Sequence, residues 1–300
     1  MSSYRGRFAP SPTGPLHFGS LLTALGSWLL ARHAGGEWWV RVEDLDPPRE
    51  IAGAAHAQLH TLEALGLHAD APPVWQSQRY ARYEASLDAL LRRGLAFECH
   101  CSRSDLAEHG GIHHACAAGR RRPDPAVRLR VPPGSVVEFH DALQGPQYQD
   151  VYIGVGDFVL RRTDRLWAYQ LAVVVDDAQQ QITHVVRGAD LLDSTPRQIL
   201  LQRALDLPTP HYLHLPLVTD AQGQKLSKSH AALPVSVDAP LATLQRAWQA
   251  LGQEALSLGD MTEPQSFLAK ARLAFDPARL PAQMQHDFAA THNDPPQAAV

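Results

Sequence analysis

The sequence predicts an α/β protein with a doubly wound parallel sheet. Short apolar runs alternate with amphipathic stretches over residues 5–93, the pattern of strands joined by crossover helices. A proline-stiffened loop, Pro10-Ser11-Pro12-Thr13-Gly14, links the first strand to the first helix, where such sheets bind ligands. After an irregular middle, the alternation resumes over residues 169–218.

Residues 5–9 (RGRFA) read as a strand stopped by Pro10, Pro12 and Pro15. Residues 18–33 read as a helix: Leu21, Leu22, Leu25, Trp28 and Leu29 recur at helical spacing, and Gly35-Gly36 ends it. Residues 37–43 (EWWVRVE) read as a buried strand, and residues 51–65 and 80–93 as amphipathic helices. Residues 97–125 break the regularity. Residues 128–131, 136–140 and 158–162 read as strands of an insertion. Residues 169–175 and 183–186 then read as strands, 195–205 as a helix and 213–218 as a buried strand. Beyond His230, residues 241–251 and 264–274 read as short helices, and the tail from Thr291 as frayed. No internal repeat is visible.

The chain has 300 residues, 45% hydrophobic and 19% charged, a composition suited to one large core with insertions or two domains. Net charge is −4, which excludes a broadly basic nucleic-acid coat but not a local basic groove. No apolar run is long enough to span a bilayer, and the start lacks a signal-peptide core, so a cytoplasmic protein is expected. The 3 cysteines cannot all pair and lie between positions 99 and 116, so a metal site is favoured over disulfides.

Two signatures suit ATP phosphates. His17-Phe18-Gly19-Ser20 opens the first helix, whose free N–H groups and dipole favour an anion. His17 adds a donor there, although a histidine in that place can equally be a cap; Gly19 permits close approach of a nucleotide. Lys225-Leu226-Ser227-Lys228-Ser229 follows a turn and can bring two ammonium groups to one polyphosphate.

In its context, RFAPSPTGPLHFGS, the first signature resembles the HIGH region of the glutamyl and glutaminyl branch of class I aminoacyl-tRNA synthetases, and the second resembles KMSKS. The strings YQLAVVVDD (169–177) and HVVRGADLLDST (184–195) resemble the same branch. The resemblance spans residues 5–230 and implies a class I synthetase-type Rossmann fold. It makes His17 and Lys228 catalytic, and His17, Gly19, Ser20, Lys225 and Lys228 the ATP contacts. It places glutamate against Arg7, Phe8, Ala9, Pro10, Ser11, Glu43, Tyr169 and Arg187. Arg7 and Arg187 would take carboxylates, for which a guanidinium fork is suited, and Glu43 the α-ammonium. Two arginines and one carboxylate suit glutamate better than glutamine. Asp44 and Asp46 are expected to cap the following turn or hold nearby arginines.

Cys99-His100-Cys101 and Cys116, with His113 or His114, can form a closed, structural Zn2+ site. Relatives carry C-x-C and a later cysteine with a tyrosine ligand; its place falls on His113, which is favoured, while His100 should point away. The run Arg120-Arg121-Arg122 either touches phosphate or is a solvated loop.

The domain expectation is a catalytic domain over 1–96 and 126–230 carrying the acceptor-binding insertion, a zinc segment over 97–125, and a small helical subdomain over 231–300 with no anticodon-binding domain. That truncated shape resembles the glutamyl-Q tRNA(Asp) synthetases. The resemblance implies activation of glutamate by ATP with Mg2+, then transfer to the queuosine base of tRNA(Asp). A monomer is expected. Three alternatives are a glutamyl-tRNA synthetase charging a tRNA 3′ end, a small-molecule nucleotidyltransferase, and a catalytically silent synthetase-like binder.

Overall fold

The computed structural model describes residues 3–107, 110–219, 234–259, 261–282 and 285–287. The chain opens with β1 (Arg5–Phe8), α1 (Phe18–His33), β2 (Glu37–Val42), α2 (Ala54–Ala64), β3 (Val74–Trp75) and α3 (Tyr80–Arg92). The middle holds β4 (Ala96–Cys99), α4 (Arg103–Ala107), β5 (Ala126–Leu129), β6 (Val136–Asp141), β7 (Gly145–Asp150), α5 (Val151–Gly154) and β8 (Phe158–Arg161). Then come α6 (Tyr169–Gln179), β9 (His184–Gly188), α7 (Thr195–Ala204), β10 (His211–Leu215) and β11 (Leu217–Thr219). The described C-terminal part holds α8 (Pro240–Ala250), α9 (Pro264–Ala274) and β12 (Gln285–Asp287).

The main sheet runs β3-β2-β1-β9-β10-β6-β7. All its neighbours are parallel except the β6-β7 hairpin. Strand order reverses at β1, with β2 and β3 on one side and β9 and β10 on the other. A crevice therefore opens at the carboxyl ends of β1 and β9. A smaller antiparallel sheet, β4-β5-β8, carries the irregular middle, and β11 pairs with β12.

Helix α1 lies at the heart of the larger core. Leu21, Leu25 and Leu29 are fully buried, each contributing about 1.5–3 kcal/mol. Leu244, Trp248 and Phe267 of α8 and α9 join that cluster, so the C-terminal helices share a core with β1 and β2. Helix α1 ends in a turn with Gly35 at φ +66°, where Gly36 N donates to Ala31 O at 2.8 Å.

Three sequence expectations are corrected. Residues 169–175, read as a strand, form the first part of α6. Leu171 to Val175 are all buried, so the helix shows no polar face, and its valines mimic a strand. Residues 136–140, read as part of the insertion, belong to β6, which pairs with β10 in the main sheet. The strand expected over 213–218 is divided at Pro216, which has no N–H for a ladder.

Candidate active site

A cleft of about 580 Å³ lies at the reversal point of the sheet. Its floor is the end of β1 and the loop Ala9, Pro10 and Ser11. That loop is pinned from three sides. Glu43 N donates to Pro10 O, Ile51 N donates to Pro12 O, and Gln58 of α2 donates from Nε2 to Ser11 O at 3.0 Å and Gly14 O at 2.6 Å. The backbone of the loop is thus held before any ligand arrives.

His17 caps α1: Nδ1 accepts from Ser20 N at 3.2 Å, which puts the ring proton on Nε2, 3.0 Å from Ser20 Oγ. A Cβ at residue 19 would lie 3.2 Å from His17 Cε1, so Gly19 makes room for this ring. The cap and the cleft-lining position are held by the same side chain.

A buried lattice of alternating charges backs the cleft. Arg7 engages Asp177 through Nε at 3.0 Å and Nη2 at 3.3 Å, and its Nη1 makes no hydrogen bond to a described residue. Arg41 lies 2.8 Å from Asp177, 3.6 Å from Glu43 and 3.9 Å from Asp176. Asp176 also accepts from Arg79, Gln76 and the Tyr83 hydroxyl. Burial raises the Asp177 carboxyl, but Arg7 and Arg41 outweigh it and hold the group below the usual carboxylate range. Burial pushes Glu43 up to about 6, against the pull of Arg41 and Arg7. Glu43 Oε1 is buried with no hydrogen-bond partner among the described residues. An acceptor in that condition, beside a cleft, suits an incoming cationic donor.

On the opposite wall, Arg187 spends its five N–H groups on neutral acceptors. These are His214 Nε2 at 2.9 Å, Tyr169 Oη at 3.2 Å, Gln198 Oε1 at 2.8 Å, Leu191 O at 3.4 Å and Thr195 Oγ1 at 2.8 Å. Among the described residues no carboxylate touches this guanidinium. Asp44 accepts from Ser77 N at 2.9 Å and Ser77 Oγ at 2.5 Å, so it caps a turn 33 positions away and not the one that follows it, while Asp46 pairs with Arg49, the arginine-holding role expected of it.

The cleft therefore brings together Arg7, Phe8, Ala9, Pro10, Ser11, His17, Gly19, Ser20, Glu43, Tyr169 and Arg187. Lys225 and Lys228 lie outside the described residues. The chain leaves the described part after Leu217–Thr219, and Leu217 lines the cleft. It re-enters at Pro234, whose backbone bridges to His17, and Val235 N donates to Leu16 O at 2.8 Å. Arg41, Asp176 and Asp177 lie inside strings that the sequence alone marks out, yet no spacing rule assigns them a role. Their types were a signal, since charged residues inside apolar runs are buried only when paired.

The cysteine segment folds against β4-β5-β8. Cys99 Sγ lies 3.2 Å from His113 Nε2, and Cys101 Sγ lies 3.7 Å from Cys116 Sγ. Cys99, Cys101 and His113 are buried, with ligand atoms mutually within 4.8 Å. A tetrahedral zinc with bonds of about 2.3 Å to sulfur would hold two sulfurs about 3.8 Å apart, which the Cys101–Cys116 pair matches. His113 Nδ1 is 2.8 Å from Asp157 Oδ2, the carboxylate support usual behind a metal-bound imidazole. Gly156 (φ +68°) lets the chain pass close to His113: a Cβ there would lie 2.3 Å from His113 O. His114 instead packs on Tyr152 at 4.2 Å, and His100 accepts from Arg122 N at 2.9 Å, pointing away. These groups can hold a metal ion. Asp157, the residue behind His113, carried no sequence signal because it comes from 44 positions away.

Residues 3–242 match the family model described as tRNA synthetases class I (E and Q), catalytic domain. The chain belongs to this family. It is a ligase of the aminoacyl-tRNA synthetase type. A protein of Xanthomonas campestris pv. campestris named glutamyl-Q tRNA(Asp) synthetase is 63% identical over 295 residues, covering 98% of each chain. One of the same name from Burkholderia mallei is 53% identical, covering 92% of this chain and 97% of that one. Among solved structures, a glutamate tRNA ligase from Elizabethkingia meningosepticum, in complex with its amino acid, superposes with a TM-score of 0.78 at 24% identity. This synthetase chain spans 66% of the length of that ligase and is itself covered to 94%. No described helix is long and apolar enough to cross a membrane.

Proposed function

We propose that this class I synthetase activates glutamate with ATP, without needing tRNA, and transfers it to the queuosine base in the anticodon of tRNA(Asp). The observation that carries the amino-acid part is the cleft's charge layout. Two guanidinium groups, Arg7 and Arg187, share one crevice with Glu43, whose Oε1 is ion-paired to Arg41 at 3.6 Å but accepts no hydrogen bond from a described residue. A ligand with two carboxylates and one ammonium complements that set. Arg7, through Nη1, and Arg187 with the Tyr169 hydroxyl receive the carboxylates; Glu43 receives the α-ammonium. Phe8, Ala9, Pro10 and Ser11 shape the floor.

The α-carboxylate attacks the α-phosphorus of ATP, its P–O bond to pyrophosphate breaks, and glutamyl-adenylate forms. His17, Gly19, Ser20 and the start of α1 hold phosphate oxygens, and Lys225 and Lys228 stabilise the charge that grows on the α-phosphate and leaving pyrophosphate. The described residues on either side of 220–233 lie at the cleft, Leu217 in its lining and Pro234 bridged to His17, which supports the lysine assignment. Mg2+ would neutralise phosphate charge when bound. A queuosine hydroxyl then takes the glutamyl group and AMP leaves. The acceptor follows the names of relatives that match this chain along nearly all of their own length. Cys99, Cys101, His113 and Cys116 hold one structural Zn2+, and the enzyme works as a cytoplasmic monomer.

Pyrophosphate exchange with glutamate and ATP in the absence of RNA tests this reading. Exchange that depends on glutamate and ignores glutamine is expected. Absence of exchange until tRNA is added would overturn it in favour of 3′-end charging.

A further inference from the structure

Behind Arg187 sits a buried pair that does not itself line the cleft. Asp141 ends β6 and His214 lies on β10, and neither is exposed to solvent. Asp141 Oδ1 accepts from three backbone amides: Leu143 at 3.1 Å, Gln144 at 2.9 Å and His214 at 3.2 Å. That leaves Oδ2, which lies 2.6 Å from His214 Nδ1. On the other side of the ring, Nε2 lies 2.9 Å from Arg187 Nε and 3.3 Å from Thr195 Oγ1, a hydroxyl that can donate to it.

Donor and acceptor rules fix the proton. A guanidinium cannot accept, so His214 Nε2 must be bare; an ionised carboxylate cannot donate, so Nδ1 must carry the hydrogen. Burial and the Arg187 charge keep this imidazole neutral, against the pull of Asp141. The ring thus passes the polarity of Asp141 to Arg187 while keeping the carboxylate itself out of contact. The guanidinium is held through all five N–H groups by neutral acceptors, so its charge stays uncompensated and a substrate carboxylate takes over one of those N–H groups when it binds. Tyr169 and Leu191, which accept from Nη1 at 3.2 Å and from Nη2 at 3.4 Å, line the cleft together with Arg187.

We propose that Asp141 and His214 are positioning residues for the amino-acid site: Asp141 sets the His214 tautomer, and that tautomer holds Arg187 where it meets the substrate carboxylate. The substrate half of this proposal rests on the glutamate reading above; the tautomer half does not.

Asp141→Asn is the decisive variant because it preserves volume and reverses one donor. Its single oxygen stays with the three amides, so its NH2 faces His214 Nδ1. Nδ1 must then accept, the proton moves to Nε2, and it meets the Arg187 N–H donor to donor. The same logic governs the histidine of a serine protease triad when its aspartate becomes asparagine. Nitrogen-15 NMR of the His214 imidazole should show the Nδ1–H form in the wild type and the Nε2–H form in Asp141→Asn. In the exchange assay the variant's glutamate KM should rise about tenfold or more, while the ATP KM stays within about twofold.

His214→Gln and His214→Asn give a second test if Asp141→Asn folds poorly. Gln can place an acceptor near the old Nε2 position, whereas Asn reaches only the old Nδ1 position. Glutamate KM should therefore be lower in His214→Gln than in His214→Asn. An unchanged tautomer in Asp141→Asn, an unchanged glutamate KM, glutamate and ATP KM rising together, or the reverse order of the two His214 variants would each overturn the proposal. Failure of the wild type to exchange with glutamate would instead overturn the function reading, leaving the tautomer measurement to stand by itself.

Discussion

The cleft draws its charged groups from β1, β2, α6 and β9, whereas the cysteine cluster gathers Cys99, Cys101, His113 and Cys116 from one stretch of chain, residues 99–116. The cleft's charges are paired by the protein itself: Arg7 with Asp177, Arg41 with Asp177 and Glu43, Asp176 with Arg79. The cysteine cluster has the reverse logic. Its sulfurs and imidazole crowd together, with Asp157 behind His113 and the Ala117 amide on Cys101 Sγ, an arrangement in which a bound cation would supply the missing attraction. The first region is preorganised by long-range folding and can be damaged by one charge change. The second gathers groups that can hold a metal ion, and under the zinc reading it is damaged by removing that ion.

The largest expected effect is in the cleft lattice. Asp177→Asn leaves Arg7 and Arg41 buried without their shared carboxylate and should cost about 3–5 kcal/mol of stability, read from the denaturation midpoint. A neutral effect would mean that the lattice is not what holds the two arginines. Next, Lys228→Ala should slow adenylate formation by about 10²–10³ with little change in glutamate affinity, and Arg187→Ala should do the opposite, raising glutamate KM above all. Equal effects of the two variants on both parameters would erase the division of labour between phosphate and amino-acid contacts.

The cysteine region should respond differently. Cys101→Ser should drop bound zinc from about one per chain to a small fraction and lower the melting temperature, while glutamate-dependent exchange persists. A wild type that carries no metal, or a variant that loses exchange completely while folded, would contradict the separation of the two regions. The smallest effect is one of pH. Glu43, pushed up to about 6 by burial, becomes neutral as pH falls through that value. The α-ammonium then loses its carboxylate, so glutamate KM should climb by roughly tenfold per unit below pH 6 and be flat above it. In Glu43→Gln this pH dependence should vanish.

The two regions also differ in how far they could be read in advance. The strand–loop–helix entry to the cleft was legible because RFAPSPTG and HFGS are local, and α1 forms over the span its leucine spacing indicates. The cysteines were legible for the same reason, and the choice of His113 over His114 agrees with where the two rings point. What escaped was non-local. Helix α6 hid as a strand because burial on every side removes the polar face that reveals a helix. Strand β6 reads as part of the insertion in sequence because its partner β10 lies about seventy residues on. Asp141 and His214 are separated by 73 positions, and no spacing rule links them. Lys225 and Lys228 lie outside the described residues, so their part in the site stands on the motif and on the described residues either side of 220–233, which lie at the cleft.

The most direct test of the central claim is transfer of labelled glutamate from ATP-activated enzyme to two forms of tRNA(Asp), one containing queuosine and one carrying unmodified guanosine at that position. Label that appears only on the queuosine-containing form, and that survives removal of the tRNA 3′ end, is the predicted result. Label on both forms, lost when the 3′ end is removed, would contradict it.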